Sequence, residues 1–200
     1  MNDRGLTLVE LIVAMAVSAV AMAVGYAAFS SILDNRARVA DAAAEVTRSS
    51  AQRRTLISWL EGARLTNVAG PRFQGLDGVF RDLPDDELTF LTTSDTPLGR
   101  GETIVRLYVD RDEETPERGL IVQLEEWRGL KIERITVDER VIGLETRYLS
   151  DVLGARRWLP SWVSSTVLPA AVELRLEAGT PESLPPLLAY PILVKLGGAL

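Results

Sequence analysis

The stretch LIVAMAVSAVAMAVGYAAFSSIL, residues 11–33, decides the fold of the N-terminal part of the chain because it contains no charged side chain. Glu10 and Asp34 bound it, and the first proline is Pro71, so nothing in the stretch breaks a helix. A helix of this length spans about 35 Å, enough to cross ~30 Å of lipid hydrocarbon. The stretch is rich in alanine, which gains little from lipid, so we expect it to be held less firmly than a leucine-rich anchor.

A cleaved secretory signal is an alternative explanation of this stretch. Residues 19–21 and 21–23 read AVA and AMA, and both fit the A-x-A pattern of a cleavage site. Two observations count against it: Glu10 would place a carboxylate at the start of the apolar core, and the stretch exceeds the roughly 7–15 apolar residues of a signal. The sequence therefore predicts a membrane-spanning segment.

Residues 4–14 read RGLTLVELIVA, and in them a glycine, a Thr-Leu-x-Glu pattern and an apolar run coincide. This N-terminus resembles that of type IV prepilins and type II secretion pseudopilins. The resemblance implies that residues 1–5 are a leader, that a membrane aspartyl peptidase cuts between Gly5 and Leu6, and that the new N-terminus at Leu6 is methylated. It also identifies Glu10 with the glutamate at the fifth mature position of the family. Leu6 departs from the phenylalanine that the family usually has at the first mature position.

The position of Glu10 also has a physical interpretation. It lies four residues after Leu6, one helical turn further along. An ionised carboxylate in lipid needs a partner, and the ammonium group created by cleavage at Leu6 would provide one. Pairing between two chains would set their axial stagger, as a growing filament requires. The alternative is a carboxylate at the headgroup level with no partner.

Residues 34–66 continue the helix as a polar segment that is free of proline. Apolar and small residues recur along one stripe and become larger toward its end, so the sequence predicts one continuous helix over residues 7–65. The outer half of this helix is expected to pack on a sheet. A coiled coil is disfavoured because Ser49 and Arg53 occupy seam positions.

Residues 67–200 are predicted to form an antiparallel β domain, because short runs of alternating apolar residues replace the helical pattern. Together with the long helix, this arrangement belongs to the α+β class. Glycine and proline indicate a loop over residues 68–84, residues 128–130 a hairpin turn, and Pro191 an edge position for the last strand. The predicted strands are residues 87–93, 103–110, 120–127, 131–137, 141–149, 171–178 and 187–194.

Several segments of the second half follow one another in a recognisable order. They are residues 88–92 (LTFLT), 119–120 (GL) with 125–127 (EEW), 141–149 (VIGLETRYL), Trp158 with Trp162, and 168–176 (LPAAVELRL). This order resembles the J-type minor pseudopilins of type II secretion systems. The resemblance implies a pilin-like structural subunit at the pseudopilus tip, in complex with the I- and K-type minor pseudopilins and other pseudopilins, after processing by the prepilin peptidase/methylase. It further implies a single-pass protein of the inner membrane whose C-terminal domain lies in the periplasm.

The basic residues by themselves predict the opposite topology, since only Arg4 precedes the apolar stretch, whereas Arg36 and Arg38 follow it closely. We give the resemblance more weight, because it implies a leader that faces the cytoplasm. Two other functions remain open. One is a minor pilin of a type IV pilus, and the other is a periplasmic binding protein with a cleaved secretory signal.

The composition excludes several kinds of chemistry. The 200 residues include neither cysteine nor histidine, which removes thiolate nucleophiles, imidazole bases and the commonest metal ligands. The formal net charge of −6 argues against a nucleic-acid partner. Residues 110–114 (DRDEE) suggest a calcium loop, but Thr115 and Ile121 stand where an EF-hand requires glycine and a bidentate glutamate. We predict no enzyme, no catalytic residue, no metal and no cofactor.

Two further predictions concern side chains of the β domain. The acidic run Asp85, Asp86 and Glu87 is interpreted as the polar lead-in to a strand. Trp158 and Trp162 flank a proline and are assigned to the core in preference to a partner surface.

Overall fold

The computed structural model describes residues 8–66, 71–112, 114–152, 155–180, 183–185 and 187–196. The chain forms two compact units, Met1–Glu45 and Val46–Leu200. One helix, α1 (Leu8–Glu61), contributes residues to both units, whereas the strands all belong to the second unit. This is the α+β arrangement that the sequence predicts.

Thirteen strands lie within the described ranges, and the pairings between them are antiparallel. The strands predicted at residues 87–93, 103–110, 120–127, 131–137, 141–149 and 171–178 are confirmed to within three residues at each end. The ranges are β1 (Ala63–Arg64), β2 (Phe73–Leu76), β3 (Val79–Phe80), β4 (Leu83–Pro84), β5 (Glu87–Thr92), β6 (Thr103–Asp110), β7 (Gly119–Glu126), β8 (Ile132–Asp138), β9 (Val141–Val152), β10 (Ala155–Leu159), β11 (Trp162–Ser164), β12 (Ala171–Ala178) and β13 (Ile192–Lys195).

A seven-stranded sheet has the order β11-β2-β5-β6-β7-β8, and β1 pairs with the end of β5. Its inner face is apolar because alternate residues of neighbouring strands stand in register. Leu88, Leu107 and Val122 form one such row and are each at most 2 % exposed. The predicted turn at residues 128–130 is confirmed, since the backbone N–H of Glu126 donates to the carbonyl of Lys131 at 3.0 Å.

A four-stranded sheet has the order β10-β9-β12-β13, so the last strand lies at the edge, as Pro191 predicts. The predicted start of this strand at residue 187 is wrong, because β13 begins at Ile192, directly after Pro191. Strand β10 was not predicted, because an exposed edge strand with two consecutive arginines carries no apolar alternation. The sequence analysis did not predict the short strand β11 either.

The loop predicted at residues 68–84 is wrong in part, since β2 and the β3–β4 hairpin form within it. Gly75 explains the error, because a Cβ there would lie 1.9 Å from the hydroxyl of Tyr148 and only glycine permits this approach.

The end of α1 differs from the sequence prediction. The predicted helix reached residue 65, but α1 ends at Glu61, and Ala63–Arg64 pair with β5 as strand β1. Gly62 makes this change of direction possible, because a Cβ there would lie 2.2 Å from the hydroxyl of Ser94. The backbone N–H of Thr93 donates to the Gly62 carbonyl at 3.1 Å and holds the end of the helix against β5.

The outer part of α1 packs on the sheets as predicted. Leu56, Trp59 and Leu60 are buried in the core cluster together with side chains from both sheets. The assignment of Trp158 and Trp162 to the core is only half right. Trp162 packs against the core cluster, but Trp158 lies on the edge strand β10 and is 42 % exposed. Trp158 is therefore a surface residue.

Arg53 of α1 binds the segment that precedes β13. Its Nη1 donates to the carbonyls of Leu187 and Tyr190 at 2.9 and 3.0 Å, and its Nη2 donates to the carbonyl of Pro191 at 2.7 Å. Arginine suits this role because its planar group carries donors in a fixed fork. Arg53, which disfavoured a coiled coil in the sequence analysis, thus connects the helix to the segment before the last strand by hydrogen bonds.

We expect the Arg53→Lys variant to lose about 1–2 kcal/mol of stability, because a single ammonium cannot replace this fork. The measurement is hydrogen exchange of the backbone amides of Leu188 and Leu196, with the full chain in detergent micelles. Arg54→Lys is the matched control, since Arg54 is exposed and, in the described part of the chain, its Nε donates to the Ser50 carbonyl of the same helix at 3.3 Å. Equal protection in the two variants would contradict the role of Arg53.

Candidate functional site

The first unit presents an apolar helix surface. Every large apolar side chain from Leu8 to Leu33 is at least 48 % exposed, and the most apolar window of α1 has no part buried within the described chain. An apolar helix that its own chain leaves uncovered is stabilised by lipid or by other helices. By length and composition, α1 can cross a membrane, which is consistent with a single N-terminal anchor.

Glu10 lies in the first turn of α1. A carboxylate suits this position because the first turn of a helix has unpaired N–H groups and the positive end of the dipole. The next charged residue along the helix is Asp34. Gly5 and Leu6 lie outside the described residues, so cleavage and methylation there stay predictions.

The family model of the prokaryotic N-terminal methylation motif matches residues 1–26. The chain has a type IV prepilin-like N-terminus. The match includes Gly5, Leu6 and Glu10 and extends into the apolar part of α1. It bears out the prepilin-like part of the resemblance, whereas the J-type identity stays a prediction. No curated protein matches the chain.

The second unit contains a buried polar cluster around Asp86, which is 3 % exposed. Asp86 Oδ1 accepts a hydrogen bond from the backbone N–H of Gly78 at 3.0 Å. Its Oδ2 accepts two from Thr146, from the backbone N–H at 2.6 Å and from the hydroxyl at 3.0 Å. The Tyr148 hydroxyl lies 2.7 Å from the Thr146 hydroxyl and donates to it, because the single Thr146 proton is used on Asp86. We call these residues the Asp86 cluster.

The sequence analysis treated Asp86 as part of a polar lead-in to a strand, and Asp86 does lie directly before β5. What the sequence analysis missed is that the Asp86 carboxylate is buried. Burial raises the pKa of the Asp86 carboxyl above 3.8, although the hydrogen bonds from Gly78 and Thr146 lower it. Burial also raises the pKa of Tyr148. No signal in the sequence connects Asp86 with a threonine sixty residues later.

Asp85 fixes the β3–β4 hairpin beside this cluster. It forms an ion pair with Arg111, whose Nη2 also donates to the carbonyl of Ile142 on β9 at 2.6 Å. The Arg111 guanidinium lies 5.1 Å from the ring centre of Phe80, at a distance that permits a cation–π contact. Arg111 therefore links the hairpin to β9, because it contacts Phe80 and Asp85 and also donates to the Ile142 carbonyl.

A cavity of about 270 Å³ opens next to the Asp86 cluster. Its lining includes Asp77, Asp86, Glu145, Arg147, Trp158 and Pro160, and we call it the Trp158 cavity. Arg147 and Glu145 form an ion pair in its wall, with Nε of Arg147 2.8 Å from Oε1 of Glu145. The sequence analysis did not identify this cavity, because its walls come from the β2–β3 connection, β9 and the edge strand β10.

The acidic turn at residues 110–114, which suggested a calcium loop, is stabilised by hydrogen bonds between its own residues. Asp110 Oδ1 accepts a hydrogen bond from the backbone N–H of Asp112 at 2.9 Å, and Asp112 Oδ1 accepts one from Glu114 at 2.9 Å. Such bonds are typical of Asx turns. Among the residues that the structure describes, no group of three or more acidic side chains is arranged to hold a metal ion. The expectation of no metal and no enzyme activity stays a prediction.

Proposed function

We propose that this chain is a minor pseudopilin, a structural subunit without catalytic activity in the pseudopilus of a type II secretion system. The observation that supports this proposal most strongly is the methylation motif in residues 1–26, followed by an apolar helix that its own chain leaves uncovered. A prepilin must be held in a membrane before assembly and by other helices afterwards. A helix rich in alanine suits both states, since small side chains allow close helix packing.

In the proposed mechanism, Gly5 lies at the narrow cleft of the prepilin peptidase, where a residue without a side chain is needed. Cleavage creates an ammonium group at Leu6, and the same enzyme methylates it. Glu10 of an incoming chain then pairs with the Leu6 ammonium of a neighbour and sets the axial stagger between them. The second unit lies in the periplasm.

The finer part of the proposal is a J-type subunit at the pseudopilus tip, bound to the I- and K-type minor pseudopilins and supporting protein export across the outer membrane. It is supported by the order of the sequence segments from residue 88 to residue 176, which lie on β5, β9, β12 and the edge strands. The second candidate is a minor pilin of a type IV pilus, which would share the N-terminal motif. Co-purification separates them, because only the first candidate is expected to bring down I- and K-type pseudopilins.

The N-terminus of the mature chain tests the proposal. When the full chain is produced together with a prepilin peptidase, we expect mass spectrometry to find a chain that begins at Leu6 and carries one added methyl group. The Gly5→Val variant is expected to keep its leader, because a branched side chain does not fit the cleft. Gly25→Ala is the control, since a Cβ at Gly25 meets nothing within 4 Å and cleavage should proceed.

Two outcomes would contradict the proposal. A mature chain that begins near Val24 would indicate a secretory signal cut after the AMA sequence and would favour a periplasmic binding protein. Normal cleavage of the Gly5→Val variant between residues 5 and 6 would show that the size of residue 5 does not govern processing.

A further inference from the structure

The Trp158 cavity has a charge imbalance that the protein does not satisfy. The Glu145 carboxylate is neutralised by Arg147, since Oε1 lies 2.8 Å from both Nε and Nη2 of that arginine. Arg175 lies 3.8 Å from the other Glu145 oxygen, but it pairs more closely with Glu173, at 3.2 Å. Asp77 also lines the cavity, and no ion pair reaches it within the described ranges. The cavity therefore retains negative charge at Asp77 and at Asp86.

Asp86 increases the demand for a cation. Its two oxygens already accept hydrogen bonds from Gly78 and Thr146, but these donors are neutral and leave the charge of the carboxylate uncompensated. The charge of Asp77 acts in the same direction as burial on this carboxyl, and both raise its pKa. A positive group in the cavity would offset both effects.

Trp158 gives the cavity an aromatic wall. Its side chain is 42 % exposed on the edge strand β10, although a tryptophan normally contributes to stability by burial. On the neighbouring strand β9, Leu149 is the residue paired with Trp158 in the strand register. Tryptophan is the aromatic residue that attracts a cation most strongly.

We propose that the Trp158 cavity binds the guanidinium group of an arginine side chain that a partner protein presents. The guanidinium is planar, so it can stack on the Trp158 ring while its edge donates to the Asp77 carboxylate. An ammonium group cannot do both, because it is a compact point charge. The formal net charge of −6 for the whole chain also favours a basic partner surface. This inference is independent of the proposed function, since no residue of the N-terminal motif lines the cavity.

The test uses the full chain in non-ionic detergent, labelled with 5-fluorotryptophan. The four tryptophans give four fluorine signals, and the Trp158→Phe variant identifies the signal of Trp158. Titration with acetyl-arginine methylamide should shift the Trp158 signal in a saturable manner, with a dissociation constant of about 1 mM. The neutral isostere acetyl-citrulline methylamide should produce no saturable shift at the same concentrations.

Two variants examine the carboxylate. Asp77→Asn should weaken binding of the arginine probe by about fivefold, because it removes one exposed charge partner. Glu133→Gln is the matched control, because it removes an exposed carboxylate outside the lining of the cavity and should leave the affinity unchanged. Equal binding of the arginine and citrulline probes would overturn the proposal, as would the absence of any saturable shift. Calcium chloride that produced the same shift of Trp158 would assign the cavity to a metal ion and would also overturn it.

Discussion

The Glu10→Ala variant is expected to enter the membrane and to be processed after Gly5, but to reach filaments at least about a hundredfold less often than the unchanged chain. The reason is that a buried ammonium group at Leu6 of the neighbouring chain would lose its counter-charge in an apolar environment. Removing one partner of a buried ion pair costs about 3–5 kcal/mol. The measurement compares the amount of chain in the filament fraction with the amount in the membrane fraction, in a host that supplies the other pseudopilins.

Two further variants show which property of Glu10 matters. Glu10→Gln keeps the size of the side chain but removes its charge, so it should assemble as poorly as the alanine variant. Asp41→Asn removes a carboxylate from α1 beyond the apolar stretch and should assemble normally. If Glu10→Ala reached filaments at the normal level, Glu10 would have no guiding role. An equal loss for Asp41→Asn would attribute the effect to the charge of the helix as a whole.

The Asp86→Ala variant is expected to lower the stability of the second unit by about 3–4 kcal/mol. The substitution leaves the backbone N–H groups of Gly78 and Thr146 buried without an acceptor. It also frees the Thr146 hydroxyl, which the Tyr148 hydroxyl approaches to 2.7 Å. Thermal unfolding of the full chain, followed by near-ultraviolet circular dichroism, should show a melting temperature lower by about 10 °C.

Asp95→Asn serves as the control for Asp86, because Asp95 is exposed and its ion pair with Arg100 is 3.7 Å long. This variant should stay within about 0.5 kcal/mol of the unchanged protein. A similar melting temperature for Asp86→Ala and Asp95→Asn would mean that the Asp86 cluster does not stabilise the fold.

Asp86 also predicts a pH dependence of stability. Because burial raises its pKa above 3.8 in the folded protein, the folded state binds the proton more tightly than the unfolded chain. The contribution of this group to stability is therefore fully present below 3.8 and is lost as the pH rises through the folded pKa. The Asp86→Asn variant cannot titrate, so the stability difference between it and the unchanged protein should vary with pH in that window. A difference that is constant with pH would contradict the raised pKa.

Much of the fold follows from local patterns in the sequence. Strands β6 and β12 alternate buried and less buried residues over most of their length, and the sequence predicts both with correct ends. The apolar stretch of α1 is equally plain, since no charge interrupts it. Local patterns did not predict the short strands. Strand β2 contains Gly75 because a larger residue would collide with Tyr148, and β10 has the polar composition of an exposed edge strand.

Of the candidate sites, one could be predicted from the sequence and the others could not. Glu10 could be identified from the sequence because a single carboxylate beside a long apolar run is anomalous in itself. The Asp86 cluster could not, because its members are distant in sequence and acquire their roles only when β9 passes behind the β3–β4 hairpin. Trp158 was assigned to the core on its apolar character, whereas its exposure is set by the edge position of β10. Tertiary neighbours decide both cases.

The order in which the strands of the two sheets follow one another along the chain has a consequence for folding during translation. After β9 and β10 have begun the four-stranded sheet, β11 returns to complete the seven-stranded one beside β2, and β12 then goes back to β9. A nascent chain that has left the ribosome only as far as β10 therefore holds neither sheet in finished form, and its β2 edge stays open to foreign strands. We expect such intermediates to depend on chaperones, and we expect a break in the chain between β10 and β11 to disable both sheets at once.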